Sequence, residues 1–222
     1  MIQASFWSPV LLSLKVSLLA GTLAFLLAGW LAWLMTGKKF RGKIVLETIF
    51  MLPMVLPPTV VGFLLLMAFG RRSFIGRWFE ALSGLPIVFT WGAAVLAAAI
   101  VAFPLAYQSA KAGFASIDRD LLAAGRSLGA SEPQLLLRVA IPLAGRSLAT
   151  AFVLSFTRAL GEFGATLMLA GNIPGRTQTL PTAIYMAVES GDTGAAWAWA
   201  GWMVLISFLL LACFGPRTER KE

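Results

Sequence analysis

The sequence predicts an all-α protein, a polytopic bundle of membrane helices, and three observations carry that reading. Hydrophobic residues make up 59% of the chain and charged residues only 13%, against an apolar share of roughly 45–50% in soluble domains. Five stretches are each long and apolar enough to cross a hydrocarbon core, which takes about 20 residues in helical form. The basic residues stand in short blocks between those stretches. The surplus of 18 Lys and Arg over 10 Asp and Glu therefore reports how the chain is threaded, and no nucleic-acid partner is expected.

Helix is the expected form of each stretch because a segment in lipid must satisfy its own backbone polar groups. The five main spans are expected over residues 16–37, 48–70, 81–110, 147 to about 169, and 193–216. The opening MIQASFWSPVLLSLK lacks the basic start and the small-residue cleavage site of a secretory signal. The first apolar stretch is read as retained.

Orientation follows from the basic loops. Lys38, Lys39, Arg41 and Lys43 separate the first two spans, and Lys111, Arg119, Arg126, Arg138 and Arg146 lie between the third and fourth. Arg217, Arg220 and Lys221 follow the last. Basic loops stay in the cytoplasm, so the N-terminus is expected outside and the C-terminus inside. Arg71, Arg72 and Arg77 then fall outside, one exception against three agreements. Trp197, Trp199 and Trp202 would join the outer aromatic belt, and Trp30 and Trp33 approach the inner one. Residues 171–194, Gly-rich with Pro174 and Pro181, read as an external loop with room for a short helix over 181–189. The whole reads as one domain, 1–222, with a membrane core of about 10–214 and a cytoplasmic loop at 111–146.

Part of that loop, SIDRDLLAAGRSLGASEPQLLLRVAIPL at 116–143, parses as two short helices around a glycine. Ser116 or Asp118 can cap the first, and Gly129 ends it. Ser131 with Gln134 three residues on has capping-box spacing, and Pro133 is tolerated in a first turn. Pro142 is expected to break the second helix before the fourth span. Leu121, Leu128, Leu135 and Val139 would form an apolar knob suited to a groove on a partner.

Here the chain resembles the type I ABC importer permeases. Their cytoplasmic loop pattern is matched by Ala123-Ala124-Gly125, then Gly129, Val139 and Ile141-Pro142; the glutamate that opens the family pattern is replaced by Ala123. LPMVLPPTVVGFLLL at 52–66, RRSFIGR at 71–77 and ALGEFGATLMLAGNIPGRTQTLPTAIY at 159–185 are similar to the molybdate branch of that family. Gly161, Glu162, Phe163 and Gly164 form its most specific element. The resemblance implies a type I importer permease fold and a non-catalytic membrane subunit in a bacterial or archaeal cytoplasmic membrane, moving molybdate or tungstate. Sulfate or thiosulfate on the same scaffold is the alternative. The implied partners are a second copy of the chain, a cytoplasmic ABC ATPase dimer carrying the ATP and magnesium, an extracytoplasmic molybdate-binding protein and membrane lipid. No G-x-x-x-x-G-K-[ST] loop occurs in this chain, and no cofactor of its own is expected.

Individual residues keep two readings. Pro53, Pro57 and Pro58 interrupt the second span and make either a pathway-lining bend or a packing kink. Arg158 and Glu162, four apart in a span, are costly in lipid and form either a gate or a structural ion pair. Gly161 and Ala165 make a small-xxx-small pair, and Lys15 is expected to snorkel to the interface. With no His and a single Cys213, metal sites and disulfides are excluded. A membrane-embedded enzyme would lack its catalytic groups, and a stand-alone channel would have no use for the capped loop.

Overall fold

A computed structural model describes residues 2–38 and 40–214; Lys39 and the tail from 215, with Arg217, Arg220 and Lys221, lie outside the described residues. The order is α1 (Ile2–Met35), α2 (Lys43–Val55), α3 (Pro58–Phe69), α4 (Phe74–Ser83), α5 (Trp91–Ala115), α6 (Arg119–Ser127), α7 (Glu132–Leu135), a π-turn (Leu136–Ala140), α8 (Ile141–Leu143), α9 (Gly145–Leu160), α10 (Gly164–Ala170), α11 (Leu180–Glu189) and α12 (Thr193–Phe214). Among the described residues three helices, Phe6–Met35, α5 and Thr193–Ala212, are long and apolar enough to cross a membrane, and two sharply bent pairs raise the number to five at most.

Small residues bring the central helices together. On α1, Ala20, Ala24, Ala28 and Ala32 recur every fourth residue, and on α5 Ala94, Ala98, Ala102, Ala106 and Ala110 do the same; all nine are buried. Lipid is as apolar as a leucine side chain, so helices in it associate through close packing, which small residues permit. A Cβ added at Gly21 would lie 2.8 Å from the Phe156 Cα, and one at Gly113 would lie 2.5 Å from the Ser147 Cβ. These contacts seat α9 against α1 and α5. At one end, Phe6 stacks on Trp199 and Trp7 meets Trp202 edge-on, with the Trp199 indole N–H donating to the Phe6 carbonyl at 3.0 Å.

Several expected elements are corrected. The first helix runs well before residue 16, because Lys15 does not end it: its ammonium lies 3.8 Å above the Trp91 ring. The second span bends at its prolines as expected, but sharply enough to make two helices, α2 and α3, bent by 114°. Leu56 and Pro57 are extended, the conformation imposed on a residue before proline. The expected third span ran two helices together. Gly84, left-handed at φ 71°, ends α4, and Thr90 starts α5 by accepting the Ala93 N–H.

Helix α4 carries part of the basic cluster that the expected orientation places outside. Phe74, Ile75, Trp78, Phe79 and Leu82 form one exposed apolar face, Arg77 and Glu80 lie on the other, and Arg71 pairs with Glu80 at 3.5 Å. The 10 residues of α4 are too few to cross a hydrocarbon core, and a helix with one apolar face and one charged face suits a membrane interface.

The fourth span is also broken: α9 stops at Leu160 and α10 starts at Gly164. In the Gly-rich segment after it the short helix expected over 181–189 forms as α11, and the segment packs against the bundle. Thr177, Thr179, Leu180 and Thr182 are buried, and the Leu180 N–H donates to the Ser13 Oγ at 2.6 Å, which ties α11 to α1.

Candidate functional site

Two helix breaks that stand about a hundred residues apart in the sequence meet in space. A Cβ at Gly164, the first residue of α10, would lie 3.1 Å from the Pro58 Cβ and 3.2 Å from the Thr59 backbone nitrogen. One turn further along α3, a Cβ at Gly62 would lie 2.7 Å from the Met168 Cβ and 2.8 Å from the Ala165 Cα. Pro57 and Pro58 thus belong to the junction with α10. Pro53 sits apart, inside α2, where it lines an apolar cavity of about 470 Å³ shared with Leu27, Leu31, Phe50 and Phe103. Gly161 is exposed, and its added Cβ would come no nearer than 3.8 Å to the Thr157 carbonyl oxygen. The small-residue contact is made by Gly62, Gly164 and Ala165, and the expected Gly161–Ala165 pairing along one helix is not formed.

Glu162 closes the break from inside. It is 2% exposed. One carboxylate oxygen accepts the Ala165 N–H at 2.9 Å, and the other lies 2.8 Å from an Arg158 guanidinium nitrogen. The carboxylate therefore caps α10 and pairs with the last turn of α9, joining two helices where the sequence promised one continuous face. Phe163, between them, packs its ring 5.2 Å from that of Tyr185 on α11. The arrangement holds a charge pair at a helix discontinuity, where irregular backbone at membrane depth is tolerated only if protein or a water-lined path covers it.

The 116–143 segment is a folded unit. Asp118 caps α6 by accepting the Asp120 N–H at 2.9 Å; Ser116 instead ends α5. Gly129 is left-handed at φ 83°, and the Ala130 N–H returns to the Gly125 carbonyl at 3.1 Å, a glycine-terminated helix end. The Ser131 N–H donates to the Gln134 side-chain oxygen at 2.8 Å, as the capping-box spacing predicted. Leu135 departs from expectation. It is 1% exposed, and a Cβ at Gly125 would lie 2.6 Å from its Cδ2, so it forms the loop's own small core.

Leu121, Leu128 and Leu137 carry the exposed apolar surface, while Ala123 and Ala124 lie exposed on α6 and Val139 is half-buried. Pro142 does not end the second helix. It has no N–H to give the carbonyl four residues back, and the chain widens into the π-turn ahead of it; the break comes at Ala144, followed by an 83° bend into α9. Ile141 and Pro142 therefore close the loop just before that bend.

Residues 9–215 match the sequence profile described as binding-protein-dependent transport system inner membrane component. The chain belongs to that family. Among its relatives, the "Putative molybdenum transport system permease protein YvgM" of Bacillus subtilis (strain 168) is 54% identical over 208 residues, 94% of this chain and 92% of that protein. The molybdenum transport system permease protein ModB of Escherichia coli (strain K12) is 42% identical over 192 residues, 86% and 84% of the two chains. The inward-facing MetNI methionine ABC transporter superposes with a TM-score of 0.71 at 16% identity, covering 96% of this chain and 94% of that one, which establishes the type I importer permease fold.

The transport-system component also contains a junction that sequence reasoning missed. Helix α2 has no buried residue, yet Glu47 on it accepts from Lys111 at 2.6 Å and from the Tyr107 hydroxyl at 3.2 Å, both on α5. Phe50 adds ring contacts with Phe103 and Tyr107. Glu47 stood one residue outside the expected span and Lys111 one residue beyond another, so both read as loop charges. Their mirrored positions at two span ends were the available signal. In the 116–143 segment, Arg126 and Glu132 were likewise missed as a pair; they meet at 2.7 Å and tie α6 to α7.

Proposed function

We propose that this chain is the permease subunit of an ATP-driven importer of molybdate or its near-isostere tungstate. Two copies enclose a path, a cytoplasmic ATPase dimer drives them, and an external binding protein delivers the anion. The observation that carries the cargo is the 54% identity across nearly the full length of a molybdenum permease relative. Support for the mechanism comes from the two broken helices, which give the bundle a preformed discontinuity: Arg158 pairs with Glu162 on one side of it, and Gly164 meets Pro58, at the break after Pro57, on the other. Gly161, Glu162, Phe163 and Gly164 are the hinge of that discontinuity.

The 116–143 segment is the docking element for the ATPase. Gly125 and Gly129 shape it, Ala123 and Ala124 lie on its exposed helix, and Val139, Ile141 and Pro142 lead from it into the 83° bend before α9. Force applied there reaches α9, and through the Arg158–Glu162 pair it reaches α10 and α3. ATPase closure then turns the path as a rigid-body alternation of two packed arrangements.

The orientation, with N-terminus outside and C-terminus in the cytoplasm, is supported by Lys38, Lys43, Lys111 and Arg119 lining one common cavity, which gathers two basic loops at one end of the bundle. The test is ATP hydrolysis by this chain reconstituted with its ATPase and binding protein, with molybdate, tungstate or sulfate loaded. Stimulation by molybdate and tungstate alone is expected. Stimulation by sulfate alone changes the cargo, and failure to recruit an ATPase sinks the docking role.

A further inference from the structure

We propose that the cavity between the C-terminal ends of α1 and α5 and the start of α6 holds the headgroup of an anionic phospholipid. The cavity has a volume of about 800 Å³, ample for a phosphodiester with its glycerol.

Its cations divide by what already engages them. Lys43 donates to the Met35 and Lys38 carbonyls at 2.8 and 2.9 Å, satisfying carbonyls that the end of α1 leaves open. Lys111 is held by Glu47, and Arg126 by Glu132. Lys38 and Arg119 also line the cavity, and their side chains form no ion pair or hydrogen bond with any other described residue. Glu132 is the one carboxylate among the lining residues, and its charge also acts on Lys38; five cations still leave the cavity positive, with Lys38 supplied from beyond the α1 end and Arg119 from the first residue of α6.

The remaining walls point to a lipid and not to a free oxyanion. Trp33, Leu34, Phe114 and Leu122 line the same space, and Trp33 meets Phe114 edge-on at 5.6 Å. A free oxyanion is best enclosed by N–H donors and gains nothing from four apolar walls. A phospholipid uses both, its phosphate on the cations and its glycerol and first methylenes on the rings. The level is also right, because the cavity opens where the apolar run Phe6–Met35 ends, the depth at which basic pockets between membrane helices take headgroups. Arg119 begins α6, so the lipid would bridge the membrane core and the 116–143 segment.

The test is native mass spectrometry of the permease–ATPase complex equilibrated with equal amounts of phosphatidylglycerol and phosphatidylcholine. Wild type is expected to retain phosphatidylglycerol over phosphatidylcholine by about tenfold or more. Lys38→Gln with Arg119→Gln, and separately Leu122→Asp, should each abolish the preference, while Arg72→Gln on the α3–α4 loop with Arg77→Gln on α4 leaves it intact. Retention without headgroup preference would overturn the proposal, as would a preference unchanged in both cavity variants. Displacement of the bound lipid by millimolar inorganic phosphate would overturn the lipid and reassign the site to a free anion.

Discussion

Gly164 stands so close to Pro58 that a methyl group on the glycine would press on the proline ring at 3.1 Å and on the Thr59 backbone at 3.2 Å. The helix break after Leu160 and the helix break after Val55 are therefore one junction, and either can move only by dragging the other.

Enlarging the small residues at this junction should be costly in a graded way. Gly62→Ala places its methyl 2.8 Å from the Ala165 Cα, which is backbone and cannot step aside. A loss of about 1–3 kcal/mol is expected from such overpacking, with Gly164→Ala milder because its contacts begin at 3.1 Å. Unfolding midpoints in detergent should order wild type above Gly164→Ala above Gly62→Ala, and the reverse order would refute the close approach.

The Arg158–Glu162 pair should respond unequally to its two halves. Arg158→Leu strands a buried carboxylate, a loss on the order of 3 kcal/mol. Glu162→Gln keeps an oxygen to accept the Ala165 N–H and leaves an arginine that is already partly exposed. A double-mutant cycle on unfolding should show Arg158→Leu largely rescued by adding Glu162→Gln; equal and additive losses would mean that the pair is not formed.

At Gly129 the obstacle is backbone conformation alone, since nothing lies within 4 Å of an added Cβ. A β-branched residue at φ 83° costs about 1–2 kcal/mol, and asparagine costs less. Gly129→Val should insert normally yet reduce transport-coupled ATP hydrolysis severalfold, with Gly129→Asn intermediate. Equal hydrolysis by all three proteins would separate this turn from coupling.

The Arg126–Glu132 link gives the loop a pH dependence. The hydrogen bond from Arg126 is the main cause holding the Glu132 carboxyl below its ordinary value of 4.5. A carboxylate so lowered contributes stability that is complete above 4.5 and lost as pH falls through its folded-state value. Both side chains are about half exposed, so the contribution stays under about 1 kcal/mol. Amide exchange at 128–132, corrected for its intrinsic pH dependence, should quicken on acidification in wild type and show no such step in Glu132→Gln.

Orientation is checked by labelling in a background without Cys213. A cysteine at Ser73 should react with an impermeant external reagent, and one at Ser131 only after the membrane is opened. The opposite pattern would invert the chain.

The first and last helices and the capped loop were legible because their signals are local: unbroken apolar runs, a Ser-x-x-Gln box, a glycine between two apolar clusters. The bend at Pro57–Pro58 was signalled by its prolines, though its size was not; the break at Gly161–Gly164 was not signalled, because hydropathy runs straight through it and a kink inside an apolar run changes direction without changing composition. The 81–110 stretch hid a boundary for the same reason: Gly84 and Pro86 were read as residues within a span when they separate an interfacial helix from a crossing one. Leu135 looked like surface because its cover, Gly125, is defined by a missing side chain. The Glu47–Lys111 pair joins residues 64 positions apart, and its one signal, two charges mirrored at span ends, does not say which charge meets which.

The alanine stripes on α1 and α5 invert the usual way of interrogating a protein interior. Where nine buried contacts are already alanine, truncation has nothing to remove, and a conventional alanine scan would pass over the busiest seam in the molecule and score it silent. The tolerance of this bundle is set by how little each position can grow, so substitution maps should show its centre as the region where valine is as damaging as a charge is elsewhere.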